Sequence, residues 1–145
     1  MGKNFEIGVS SGALDVETPL APDPISARTA RQFVGDTLQQ WGCGGATEVA
    51  LLLTTELVTN AVIHARTDLA VRIAANERCL RVAVSDASHD PPRLGPGFPG
   101  LEERGRGLPL VDALSSSWGV DWSLDGKAVW FELAQEHAPL LVAAP

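Results

Sequence analysis

One apolar segment dominates the hydrophobic pattern of the chain. Residues 48–65, EVALLLTTELVTNAVIHA, would be apolar on most faces of a helix, which is typical of a helix buried against other elements. One row of positions at four-residue spacing is purely apolar and should pack on a sheet: Val49, Leu53, Leu57 and Ala61. The neighbouring row carries Glu56 and Asn60, one turn apart. The pattern predicts a largely buried helix that holds a carboxylate and an amide on one face; two polar residues at a solvent edge are the simpler alternative.

The segments before this helix are predicted as a strand, a loop and a helix. Residues 1–11 carry a weak strand signal, and residues 12–24, with three prolines, read as an extended loop. A helix with an apolar stripe should then run from about residue 24 to Trp41, with a proline in its first turn and Gly42 at its end. Thr47 is the expected N-cap of the helix over residues 48–65.

Two strands of alternating polarity follow that helix. They are Leu69–Ala75 and Cys79–Asp86, joined by a turn at Asn76-Glu77. The alternation places Asp86 on the same face as Val84, so its carboxylate should point toward the core side at the end of the strand. The alternative is that the strand has ended and Asp86 begins a turn.

A long irregular segment separates these strands from the last elements. Residues 87–104 hold four prolines and three glycines, which is too irregular for a packed element and predicts a lid or binding loop. Gly105-Arg106-Gly107 then opens a short helix, Leu108–Leu114, whose first N–H groups could meet an anion. A hairpin ends the pattern, with a turn at Asp125-Gly126 and a return strand at Ala128–Leu133.

The order of elements predicts the fold class. Antiparallel hairpins with helices gathered on one face make a two-layer α+β sandwich with a mostly antiparallel sheet. The 145 residues fit one domain, 1–145, in which 1–20 is an extension or first strand and 135–145 is a tail.

Net charge, apolar runs and cysteine content limit the kinds of partner and the cellular location that we expect. A formal net charge of −7 argues against direct nucleic-acid binding, which calls for clustered Lys and Arg. No apolar run is expected to span a membrane, and the N-terminus lacks the order of a signal peptide. The two cysteines, Cys43 and Cys79, lack partners at metal-ligand spacing and suggest free thiols in a reducing cytoplasm.

The polar features together suggest a nucleotide site. Asn60 offers an amide oxygen suited to Mg²⁺ that keeps most of its waters. Asp86 offers an acceptor for the exocyclic amine of adenine. The helix start at Gly107 offers N–H groups to phosphates, and the lid over residues 87–104 could exclude water.

Four segments carry a resemblance to a known family. ELVTNAVIHA (56–65), VSDAS (84–88), GRGLPLVDALSSSWGV (105–120) and GKAVWFEL (126–133) resemble the N box, the G1 box, the G2 box with its following strand, and the last strand of the GHKL ATPase/kinase superfamily. Within it, the chain is most similar to bacterial anti-sigma-factor serine kinases and their actinobacterial relatives, over residues 20–134. It departs at Ser88, where the wider superfamily has a more flexible glycine.

The resemblance implies a fold, ligands and residue roles. The fold would be the Bergerat ATP-binding fold, ATP and Mg²⁺ would be bound, and a serine on an anti-anti-sigma partner would be phosphorylated, with a homodimer as the expected assembly. By this likeness Glu56 would be the general base, Asn60 would hold Mg²⁺ and Asp86 would read adenine. The phosphate end of the nucleotide site would be formed by Gly105, Arg106, Gly107 and Leu108.

Two classes of function remain open from the sequence. The first is an ATP-dependent serine/threonine kinase that acts as an anti-sigma factor. The second is a non-catalytic module that sequesters a sigma factor or another regulator, with ATP as a structural ligand or absent. Glu56 favours the kinase, because a pure binding module needs no base at that position.

Overall fold

A five-stranded antiparallel sheet forms one layer of the molecule, in the strand order β1-β2-β3-β5-β4. The computed structural model describes residues 14–92 and 109–135. The strands are β1 (Leu14–Leu20), β2 (Leu69–Ala75), β3 (Cys79–Asp86), β4 (Ser117–Ser123) and β5 (Gly126–Ala134). The helices are α1 (Ile25–Trp41), α2 (Thr47–His64) and α3 (Pro109–Leu114). The predicted α+β architecture with an antiparallel sheet is confirmed.

The first strand corrects the prediction of a loop over residues 12–24. Leu14–Leu20 pairs with β2 along its whole length, from Leu14 opposite Ala75 to Leu20 opposite Leu69. Because β1 lies at the edge of the sheet, Pro19 is tolerated there despite its missing N–H. Pro19 therefore lies in an edge strand, while Pro22 and Pro24 lie in the short connection between β1 and α1.

Helix α1 forms as its apolar spacing predicts. It begins after Pro24, where the Asp23 carboxylate accepts a hydrogen bond from the Ile25 N–H at 3.0 Å. Its buried apolar positions follow a helical repeat: Ala30, Val34, Leu38 and Trp41. Gly42 ends the helix in the left-handed region at φ 72°, which glycine adopts without strain.

Helix α2 packs against both α1 and the sheet, and α1 also contacts β1. Leu53, Leu57 and Ala61 are buried on its inner side, as predicted. Thr47 is its first helical residue, and Ala46 precedes it, so the prediction of Thr47 as the N-cap was wrong. By length and composition alone, Gly44–His64 could cross a membrane, so the expectation about apolar runs was also wrong; core helices of soluble proteins pass the same test.

The core fills the space between the helices and one face of the sheet. On β3 the buried and half-buried positions alternate strictly, and the buried ones include Asp86 at the end of the strand. The matching positions of β5 carry the other large apolar side chains of this layer, with Phe131 fully buried. The predicted inward direction of Asp86 is therefore confirmed. Asp86 is the last residue of the strand, and its carboxylate also accepts a hydrogen bond from the Ser88 N–H in the turn that follows.

The final hairpin differs from its prediction by two residues. Strand β5 begins at Gly126, not at residue 128, and the turn falls on Leu124 and Asp125. Gly126 has φ 145°, and a Cβ at that position would lie 2.0 Å from the Asp86 carbonyl oxygen. Only glycine therefore lets the start of β5 approach the end of β3 this closely.

Several predictions lie outside the described residues. These are the strand signal over residues 1–11, most of the lid over residues 87–104, the Gly105–Gly107 segment with Leu108, and the tail over residues 135–145 beyond Gln135. They stay predictions, as does the extent of the single domain.

Candidate functional site

A cleft lies between α2 and the adjoining ends of β3 and β5. The empty space inside it is about 360 Å³, counting the part that is open to solvent. Helix α2 lines it with Leu57, Asn60, Ala61, His64 and Ala65. The sheet and the loop after β3 line it with Val84, Asp86, Ser88, Asp90, Pro91, Pro92, Lys127 and Val129.

Asn60 and Glu56 reach this region from α2. Asn60 lines the cleft and is 5% exposed, so the amide is held at a fixed place by the packing of the helix. Glu56, one turn earlier, is half-buried and does not belong to the cleft lining formed by the described residues. Burial raises the pKa of the Glu56 carboxyl above its ordinary value. This direction is the one expected for a carboxylate that works as a base.

Asp86 lines the cleft from the end of β3. Its Oδ1 atom accepts a hydrogen bond from the Ser88 N–H at 2.8 Å and another from Lys127 Nζ at 3.0 Å. The ion pair is removed from solvent on both sides, because the side chains of Lys127 and Asp86 are 5% and 2% exposed. Neighbouring strands set this contact, since the register of β3 and β5 places Asp86 directly opposite Lys127.

Lys127 is a site residue that the sequence prediction missed. The return strand was predicted from residue 128 onward, which left Lys127 in the turn. A period of two carried back from Val129, Phe131 and Leu133 would have placed its side chain on the buried face. A lysine on the buried face of a strand indicates a buried partner of opposite charge, because lysine is rarely buried without one.

The position of Ser88 is free of backbone strain. Arg66 is the one non-glycine residue with positive φ in the described chain, so Ser88 needs no glycine-like conformation. Its N–H binds Asp86 and its hydroxyl accepts a hydrogen bond from the Asp90 N–H at 3.0 Å. The departure from the superfamily glycine is therefore accommodated in a turn that Asp86 caps.

The first residues of the predicted lid are anchored to the sheet. The Ala87 N–H donates to the Thr67 hydroxyl at 2.9 Å. The ring Nε2 of His89 lies 3.1 Å from the Ser123 carbonyl oxygen on the hairpin of β4 and β5. The start of the predicted lid is therefore held against the segment before β2 and against the hairpin of β4 and β5.

The structure brings two of the predicted site residues into one cleft. Asn60 and Asp86 both line it, and Glu56 lies on the adjoining turn of α2. The predicted phosphate-end residues, Gly105, Arg106, Gly107 and Leu108, lie outside the described residues, so their placement remains a prediction.

The donor set suits one kind of metal ion. Among the described residues, no group of three or more His, Cys, Asp or Glu could form a protein-only metal site. Mg²⁺ needs no such group, because it keeps several waters and completes its shell with substrate phosphates. The Asn60 amide in the cleft therefore fits Mg²⁺ that arrives with a nucleotide.

Comparison with known proteins decides the family. The family described as the histidine kinase-like ATPase domain matches residues 20–133 of the chain. The chain belongs to this family. The resemblance to the GHKL superfamily is thereby confirmed, and membership in an ATPase family implies that ATP is the ligand of the domain.

Two individual proteins are similar to parts of the chain. The crystal structure of the RsbU and RsbW domains of Rv1364c from Mycobacterium tuberculosis matches with a TM-score of 0.60 and 18% identity, over 86% of this chain and 34% of that one. That likeness shows the fold. The uncharacterized protein SCO4941 of Streptomyces coelicolor is 46% identical over 57 residues, which are 39% of this chain and 54% of that protein. The matched regions thus span about half of one protein and a third of the other.

Proposed function

We propose that this domain is an ATP-dependent serine/threonine kinase that acts as an anti-sigma factor on an anti-anti-sigma partner. The observation that carries the proposal is the convergence of Asn60 and Asp86 on one cleft, with Glu56 one turn away on the same helix. A ligand for Mg²⁺ and a general base serve the transfer itself, and an acceptor for the adenine amine holds the nucleotide in place. Family membership supports ATP as the phosphate donor.

Asp86 would hold the adenine end of the nucleotide. It lies at the buried end of the cleft, 8% exposed, where a hydrogen bond to a carboxylate is stronger than in water. Its neighbours Val84 and Val129 give the cleft apolar walls beside the base. The base would therefore bind at the sheet, and the phosphates would extend toward α2.

Asn60 would hold Mg²⁺ at the phosphate end. Its amide is the polar α2 group that combines burial with access to the cleft. When bound, Mg²⁺ would neutralise part of the charge on the triphosphate. Asn60 itself would fix the position of the phosphates relative to α2, because the core holds the helix in place.

Glu56 would take the proton of the attacking hydroxyl. The carboxylate accepts the serine proton while the serine oxygen bonds to the γ-phosphorus, and the bond from that phosphorus to the bridging oxygen breaks to release ADP. Burial, which raises the pKa of Glu56, makes its carboxylate a better proton acceptor than an exposed one. Its position one turn from Asn60 separates the base from the metal ligand by about 6 Å.

The proposed kinase would regulate a sigma factor through its partner. The motifs resemble anti-sigma-factor kinases, and the structural neighbour contains a domain named RsbW. We place the protein in the cytoplasm, which agrees with the free thiols of Cys43 and Cys79, and expect it to act as a homodimer. A transfer to serine on the partner would then control the release of a sigma factor.

The test compares two glutamate variants on the same helix. Glu56→Gln removes the base and should slow phosphate transfer from labelled ATP to a serine-bearing anti-anti-sigma partner by roughly 10²–10⁴-fold. ATP affinity and partner affinity should stay unchanged. Glu48→Gln is the matched control, because Glu48 is exposed in the first turn of α2, and it should transfer phosphate as the wild type does.

The same assay separates the kinase from a sequestering module. If the wild type binds a partner but transfers no phosphate, and Glu56→Gln binds that partner equally well, the domain is a binding switch. Glu56 would then be dispensable, and the kinase proposal would be overturned.

A further inference from the structure

The buried ion pair in the cleft leaves hydrogen-bond donors available. Lys127 is 6% exposed, and its ammonium carries three N–H donors. Within the described chain it makes one hydrogen bond, to Asp86 Oδ1 at 3.0 Å. Because buried ammonium donors without partners are costly, Lys127 points to a further acceptor in the cleft that it lines.

The carboxylate of Asp86 has one oxygen that accepts hydrogen bonds from the protein and one that does not, within the described residues. Both hydrogen bonds that Asp86 accepts from the described residues, from Ser88 N–H and from Lys127 Nζ, go to Oδ1. A carboxylate has two acceptor oxygens, so Oδ2 remains for a ligand. The cleft thus offers one acceptor with one cationic donor beside it.

We propose that Lys127 is a specificity-determining residue that reads the base of the nucleotide together with Asp86. The Watson–Crick edge of adenine presents an amino donor next to an acceptor, N1. Asp86 Oδ2 accepts from the amino group, and Lys127 Nζ donates to N1. This inference rests on the proposed function, because it takes the cleft as the ATP site.

The same pair discriminates against guanine. The Watson–Crick edge of guanine carries one acceptor and two donor groups, at N1 and the 2-amino group. With one carboxylate oxygen available, one of these donors is left without a partner in a buried site. Sites that leave buried polar groups unpaired reject such ligands strongly. The cleft therefore prefers ATP over GTP.

The experiment uses base analogues on the full wild-type chain, so it needs no variant to fold. Titration calorimetry measures the affinity for ATP, for 1-deaza-ATP, in which N1 is a C–H group, and for 7-deaza-ATP. We expect 1-deaza-ATP to bind roughly 10- to 100-fold more weakly than ATP, the loss of a hydrogen bond to a charged group. Binding of 7-deaza-ATP should equal that of ATP, because the N7 edge faces away from the pair.

A variant locates the effect at Lys127. Lys127→Met keeps the unbranched chain, one atom shorter, and removes the donors, and thermal unfolding checks that the variant is folded. It should bind ATP about as weakly as the wild type binds 1-deaza-ATP, and it should lose nothing further with the analogue. A merely structural ion pair would leave the ratio of the two affinities at one in the wild type.

The failures of this inference and of the proposed function differ. Equal binding of ATP and 1-deaza-ATP by the wild type, or GTP binding as tight as ATP binding, overturns the role of Lys127 and leaves the ATP site standing. An absence of ATP binding to the wild type overturns the proposed function, and the inference with it.

Discussion

At the scale of single residues, the site depends on close contacts between the ends of two strands. Gly126 lets β5 approach Asp86, and the register then places Lys127 opposite the carboxylate. Gly126 thus allows the close approach of the two strands that brings Lys127 to the Asp86 carboxylate. Changes at Gly126 should therefore affect both stability and the cleft.

Gly126→Ala should be strongly destabilising. The added Cβ would meet the Asp86 carbonyl oxygen at 2.0 Å, and φ 145° is a conformation that alanine rarely adopts. We expect a loss of about 2–4 kcal/mol in the free energy of unfolding, measured by urea denaturation. Gly45→Ala is the matched control, because a Cβ there meets nothing within 4 Å, and it should change stability by less than about 0.5 kcal/mol. Equal effects of the two substitutions would contradict the close approach.

Glu56 should leave a signature in the pH dependence of stability. Because burial raises its pKa in the folded state, the protonated carboxyl is favoured there. The contribution of Glu56 to stability is therefore fully present below its unfolded pKa of about 4.3 and is lost as pH rises through the higher folded pKa. Relative to Glu56→Gln, the wild type should lose stability in thermal unfolding as the pH is raised above about 4.3 and through the higher folded-state pKa of Glu56. A constant difference across that range would show that the environment of Glu56 is not apolar.

At the scale of elements, α2 joins the core to the site. Its inner row packs on the sheet while Asn60 lines the cleft and Glu56 lies on the adjoining turn, so packing holds both groups in register. If α2 were turned about its own axis by the angle of one residue, a different row of side chains would face the sheet. The neighbouring residues Leu52 and Leu53 measure this directly, because they are 44% and 0% exposed.

Leu53→Ala should cost about 2–5 kcal/mol in the free energy of unfolding, the usual loss for a leucine removed from a packed core. Leu52→Ala should change it by about 1 kcal/mol at most, because the residue is already 44% exposed. Chemical denaturation of both variants checks the orientation of α2. Similar losses at the two positions would mean that the helix is oriented differently.

The sequence predicted this element well and the site only in part. Helical spacing located α2, and period two placed Asp86 on the buried face, since both depend on local repeats. The edge strand β1 was predicted as a loop because Pro19 and the prolines after it hide a pairing that only the neighbouring strand β2 reveals. Lys127 was missed for a similar reason, because its partner is 41 residues away in the sequence and the start of the return strand was placed two residues late.

At the scale of the whole molecule, the fold assembles a nucleotide cleft from parts that are distant in the chain. Helix α2 lines one side of the cleft. Asp86 of β3 and Lys127 and Val129 of β5 line the side formed by the sheet. The helices cover one face of the sheet, so the cleft opens beside α2. Membership in the ATPase family implies ATP as the ligand. The positions of Glu56, Asn60 and Asp86 support the roles that we propose for them.

The most direct test of this account is the affinity of the full chain for ATP, measured by titration calorimetry for the wild type, Asp86→Asn and Asp36→Asn. Asp36 is an exposed residue of α1 and serves as the matched control. We predict that the wild type and Asp36→Asn bind Mg²⁺-ATP equally, and that Asp86→Asn binds it roughly 10- to 100-fold more weakly, the loss of a charge-assisted hydrogen bond. An Asp86→Asn protein that is folded and binds ATP as tightly as the wild type would contradict the account.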